Sequence, residues 1–108
     1  MPRRVLIVDD SSFFRNLLTP ILVSSGYEVT TAASAAKALE LRARGDRFDA
    51  IITDIEMPEM DGFAFAAELK KGGAWAHLPV IALTSHTTAR DVERGREAGF
   101  ADYVGKLD

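Results

Sequence analysis

Short apolar runs alternate with longer amphipathic segments along this chain, and that alternation constrains the fold more than any other feature. Residues 4–8, 49–53, 79–84 and 101–105 read as strands, each a short run rich in apolar or β-branched residues. Residues 28–32 read as another, more polar and rich in threonine, as expected at a sheet edge. Between them, residues 12–25 carry Phe13, Phe14, Leu17, Leu18, Ile21 and Leu22 at helical spacing. Residues 35–44, 63–71 and 88–97 read as three further helices. Strands alternating with helices imply a parallel sheet with helices on both faces. The continuous apolar character of the first, third and fourth strands fits burial on both sides.

The punctuation agrees. Gly26, Gly45, Gly72 and Gly99 each fall just past an expected helix, where a left-handed residue ends the turn. Ser11 or Ser12, Ser34, Asp61, and Thr87 or Thr88 stand where N-caps are expected. Thr88 and Asp91 have capping-box spacing. Pro20 is the misfit: inside the first helix it removes one backbone donor, which predicts a kink. No helical segment follows the last strand before Asp108. The expectation is therefore one domain over residues 1–108 without a last helix, leaving apolar surface exposed beside the first helix.

The chain has 108 residues, 47% hydrophobic and 27% charged, with a formal net charge of -3. That length gives one domain with a sizeable core, and the acidic balance argues against a nucleic-acid role. With no cysteine, disulfides, thiolate zinc sites and cysteine nucleophiles are excluded. His77 and His86 are too few for a histidine metal cluster. No run is long enough for a membrane span, and the start lacks a signal-peptide core. A cytoplasmic location is the default expectation.

Polar residues collect where the strands end. In a parallel α/β sheet, ligands bind beyond the carboxyl ends of the strands, where the strand order reverses. Asp9, Asp10, Asp54, Thr84 and Lys106 all fall at those ends, contributed by four different strands. Adjacent parallel strands lie about 4.8 Å apart, so carboxylates at neighbouring ends converge and repel. A hard divalent cation with oxygen ligands relieves that repulsion, and magnesium suits a site with few carboxylates. Asp10 is expected as a direct ligand and Asp9 through water, with Asp54 and the Glu56 backbone carbonyl completing the protein oxygens. Asp54 is then placed to act as a carboxylate nucleophile on phosphorus. The transferring group's charge is neutralised by the metal, the Lys106 ammonium and the Thr84 hydroxyl.

These residues carry a family likeness. Asp9-Asp10, Asp54 with Met57-Pro58 and Asp61-Gly62, Ala82-Leu83-Thr84-Ser85, and Gly99-Phe100-Ala101-Asp102-Tyr103-Val104-Gly105-Lys106 resemble the receiver domain of bacterial response regulators, in order and spacing over essentially the whole chain. The resemblance implies a flavodoxin-like doubly wound sheet of order 2-1-3-4-5. It implies Asp54 as phosphoacceptor, Asp9 and Asp10 as the acidic Mg2+ pair, and Lys106 as the phosphate-binding lysine. Thr84 and Tyr103 become the pair that switches on phosphorylation. It further implies a histidine kinase or phosphotransfer domain as donor, self-catalysed dephosphorylation, and a downstream protein on the fourth helix and fifth strand. Glu56 and His86, two residues past Asp54 and Thr84, are expected to tune the phosphate lifetime. The family usually has proline after the lysine, commonly with a cis bond, whereas Leu107 stands here. Lys106-Leu107-Asp108, with Asp10-Ser11-Ser12-Phe13-Phe14-Arg15 and Leu83-Thr84-Ser85-His86, looks like receivers attached to chemotaxis-type kinases or coupling proteins.

Blander readings stand beside these. Asp9-Asp10 alone could cap the first helix, and Tyr103 alone is a half-buried aromatic with a solvated hydroxyl. Trp75 and His77 read as loop packing. The run of charges from Arg90 to Glu97 reads as a solvated helix face. The competing function is a receiver-like interaction module that works without phosphate, whose usual sign is a lost acceptor or lysine. A dehalogenase-like phosphatase would need its nucleophile after the first strand and a substrate cap. A flavin site would need a loop rich in serine, threonine and glycine after that strand.

Overall fold

The computed structural model describes residues 2–85 and 87–106. His86 and the Lys106–Leu107 bond lie outside the described residues, as do the expectations that fell on them. The alternation resolves into β1 (Arg4–Val8), α1 (Ser12–Ser24), β2 (Glu28–Ala32), α2 (Ala35–Ala43), β3 (Ala50–Thr53), α3 (Gly62–Lys70), β4 (Val80–Thr84), α4 (Ala89–Ala98) and β5 (Asp102–Gly105). Boundaries move from the expected ones by about one residue, the usual uncertainty at fraying ends. The five strands form one sheet in the order β2-β1-β3-β4-β5, every pair parallel. The threonine-rich strand, β2, is indeed an edge.

Crossovers between parallel strands are right-handed. The step from β1 to β2 runs one way across the sheet and the later steps run the other, which puts α1 on one face and α2, α3 and α4 on the opposite one. The packing follows. Leu6, Val8, Ile51, Val80 and Ala82 point into a core with Ala35 and Ala38 of α2, Phe65, Ala66 and Leu69 of α3, and Phe100. Their strand neighbours Val5, Ile7, Ile52, Ile81 and Leu83 face the other way, because side chains alternate along a strand.

That second face is incompletely covered. No residue of α1 is buried. Phe13 is 67% exposed, Ile21 55%, and Val104 of β5 41%. This is the apolar surface expected where, among the described residues, a single helix lies on that side. α1 itself continues through Pro20 to Ser24.

The caps are Ser11, Ser34, Asp61 and Thr88, each side chain accepting a first-turn backbone N–H. Thr88 and Asp91 form the reciprocal capping box. At the end of α4, Gly99 adopts φ 89°, a left-handed conformation that a side chain would oppose.

Trp75 belongs to the core more fully than loop packing implied. It is 2% exposed. Its indole N–H donates to the Asp46 carbonyl at 3.0 Å, and its ring meets Phe48 edge-on at 5.5 Å. The tryptophan lies just before β4 and Phe48 just before β3. Both therefore sit at the amino ends of the strands, opposite the polar rim.

Candidate functional site

The strand register builds the rim. Val8 pairs with Thr53 across β1 and β3, so the next residues, Asp9 and Asp54, are cross-strand neighbours as the chain leaves the sheet. The Asp54 N–H donates to the Val8 carbonyl at 2.8 Å and the Asp9 N–H to the Ala32 carbonyl at 3.1 Å. On the other side, Thr84 pairs with Gly105, and the Lys106 N–H donates to the Thr84 carbonyl at 2.6 Å. Four strands thus present one residue set at one end of the sheet.

Lys106 closes the set. Its Nζ lies 3.0 Å from Asp9 Oδ2 and 3.3 Å from Asp54 Oδ1. The lysine side chain is only 9% exposed. Asp9 is further held by the Ser11 N–H, which donates to its Oδ1 at 2.9 Å. Arg15, on the first turn of α1, donates to the Asp9 carbonyl at 2.6 Å. Asp10 is exposed and makes no hydrogen bond or ion pair among the described residues.

Oxygens of Asp9, Asp10 and Asp54 all lie within 4.8 Å of one another. Burial raises the Asp54 pKa first and the Asp9 charge raises it further, while Lys106 pulls it back down. Two buried carboxylates with one ammonium between them, and a third carboxylate facing water, leave a surplus of negative charge. Such an all-oxygen donor set fits a small hard dication.

The loop after Asp54 is fixed closely. Gly62 opens α3 with its N–H bonded to the Ile55 carbonyl at 2.8 Å. A Cβ at Gly62 would collide with the Asp54 carbonyl and stand 2.9 Å from the Ile55 Cα. Glu59, within this loop, takes φ 71°, sparsely populated for a residue with a side chain. The Glu56 side chain is exposed beside Asp54. It lines a shallow groove of about 190 Å³ with Asp61, Phe63, Asp91, Arg94 and Tyr103.

Thr84 is fully buried at the end of β4. Tyr103 pairs with Ala82, so it lies on the core face of β5, two positions back from the rim. Burial raises its pKa, Asp91 adds to the rise, and Arg94 opposes it. The charged face of α4 is not purely solvated. Arg94 stacks on the Phe63 ring at 4.1 Å, Asp91 caps the helix, and Arg96 pairs with Glu93 at 3.3 Å.

Two contacts escaped the sequence. Lys106 Nζ lies 4.0 Å from the centre of the Phe14 ring. By spacing Phe14 belongs to the apolar stripe of α1, and helical spacing cannot separate a core residue from a wall of the site. Gly95 of α4 lies directly under the Tyr103 ring. A glycine in mid-helix was the available signal, since that position needs a reason.

Residues 5–107 match the family described as the response regulator receiver domain. Among curated proteins, the sensor histidine kinase CheAY of Helicobacter pylori is 42% identical over 94% of this chain, which spans 13% of that protein. The polar-differentiation response regulator DivK of Brucella anthropi is 37% identical over 98% of this chain and 85% of its own length. Among solved structures, the Vibrio cholerae chemotaxis protein CheY4 superposes with a TM-score of 0.90 at 34% identity, covering all of this chain and 89% of its own.

Proposed function

The chain belongs to the response regulator receiver domain family, and we propose that it is a phosphoacceptor module whose nucleophile is Asp54. The observation that carries this reading is the ammonium of Lys106 between Asp9 and Asp54 at the carboxyl rim of the sheet. It supports a site built to receive an anion beside a carboxylate.

Asp54 Oδ attacks the phosphorus of a phosphohistidine on a histidine kinase or phosphotransfer protein. The P–N bond breaks and its electron pair returns to the imidazole, which keeps or regains a proton. The product is an acyl phosphate on Asp54, later cleaved by water to inorganic phosphate and the free carboxylate. Lys106 exchanges a carboxylate partner for a phosphoryl oxygen, and the Thr84 hydroxyl donates to another. Asp9, Asp10 and Asp54, with the Glu56 carbonyl, would hold Mg2+, which when bound supplies positive charge to the transferring phosphoryl oxygens. Thr84 and Tyr103 then shift together and change the surface of α4 and β5, where a downstream protein docks. Glu56 and His86 set how readily water reaches the acyl phosphate.

The interaction-module alternative is disfavoured because the acceptor and the lysine are both present and in contact. The test is intact mass after incubation with Mg2+ and a small phosphodonor. A single phosphoryl adduct is expected, absent without the metal and absent in Asp54→Asn. An unmodified parent chain would favour the phosphate-independent module.

A further inference from the structure

The Lys106 ammonium is held on more than its two carboxylate sides. β5 is an edge strand, yet the ammonium lies against Asp9, just past the end of β1, beyond β3 and β4. A four-carbon side chain stretched along the rim has many other rotamers open to it. The Phe14 ring stands against it, with the cation 4.0 Å from the ring centre. That ring is itself braced. Its backbone N–H is turned toward the Ser11 cap, and Phe13 packs edge-on against it at 5.3 Å and 87°.

We propose that Phe14 is a positioning residue for Lys106, its ring face seating the ammonium over the Asp9–Asp54 pair by a cation–π contact. The inference rests on the phosphoacceptor reading and deepens it. A carboxylate would hold the same cation by accepting its N–H donors. An aromatic face attracts the charge without engaging a donor in a strong hydrogen bond. The N–H groups stay available for a phosphoryl oxygen. The seat also persists when Asp9 and Asp54 turn to other partners, since it requires neither. The pair Phe14 and Lys106 therefore keeps the charge at the reacting end while its anionic partners change.

The deciding experiment varies the ring's electrostatics at constant shape. Phenylalanines carrying one, two and three fluorines replace Phe14 in the full chain, and the rate of Asp54 modification by a small phosphodonor is followed at saturating Mg2+. The logarithm of the rate should fall stepwise with fluorine number, reaching about threefold to tenfold, the range of a partly buried cation–π contact. Phe14→Trp should hold or raise the rate, and Phe14→Leu should match the trifluorinated ring. Without metal or donor, the ε-methylene protons of Lys106 should resonate upfield in the parent, shifted by the ring, and move downfield in Phe14→Leu. A parent that forms the adduct but shows a flat fluorine series, or an unshifted ε-methylene, overturns this proposal alone. A parent with no adduct overturns the phosphoacceptor reading itself and this role with it.

Discussion

Burial lifts the Asp54 pKa, Asp9 adds to the lift, and Lys106 only partly offsets them. A carboxyl with a raised folded pKa binds more protons in the folded than in the unfolded state between the two values. Its stability contribution is thus complete below the unfolded pKa, about 3.9 for aspartate, and declines as pH rises toward the folded one. At neutral pH, without divalent metal, ionised Asp54 opposes folding. Asp54→Asn should therefore raise Tm at pH 7 in chelator, with the gain shrinking as pH falls toward 4. Thermal melts across pH check this, and a gain independent of pH would contradict it. The sequence announced Asp9, Asp54 and Lys106 because charged residues ending apolar strands need partners. Phe14 stayed hidden because its contact crosses from the start of α1 to the end of β5, a juxtaposition no local pattern encodes.

Between elements, α4 packs closely on β5. A Cβ at Gly95 would stand 2.9 Å from Tyr103 Cε2 and nearer still to its Cδ2. Alanine in a mid-helix glycine position ordinarily gains up to about 1 kcal/mol. Gly95→Ala should forfeit that gain, because the Tyr103 ring must leave its place on the helix. In a Tyr103→Ala background the same substitution should recover it. Chemical denaturation of the four proteins in the cycle measures the difference, and equal effects in both backgrounds would dismiss the contact. The element pattern was legible because strand and helix periods differ and the caps carry their own chemistry. What the pattern lacked was depth. It assigned Trp75 to a loop, since a lone aromatic before a strand carries no periodicity, although its indole donates to Asp46 across 29 residues of chain.

For the molecule as a whole, the two faces of the sheet differ in how far their residues matter to stability. Leu6 is completely buried in the main core, whereas Ile21 lies on the open side. Leu6→Ala should cost about 2–5 kcal/mol through lost burial and the cavity left behind. Ile21→Glu should change stability by no more than about 0.5 kcal/mol, as exposed substitutions generally do. Denaturant midpoints compare them directly, and a large loss at Ile21 would mean that the α1 face is packed in solution. The strand order carries a different consequence. Asp9 and Asp10 follow the first strand, Asp54 the third and Lys106 the fifth, Thr84 ends the fourth, and within the sheet β5 pairs with β4 alone among the described strands. On a ribosome Asp54 emerges some fifty residues ahead of Lys106. A nascent or partly unfolded chain therefore carries Asp54 without the ammonium that lies beside it in the finished sheet. On the phosphoacceptor reading proposed above, only finished molecules respond, and the count of responders is a count of completed sheets.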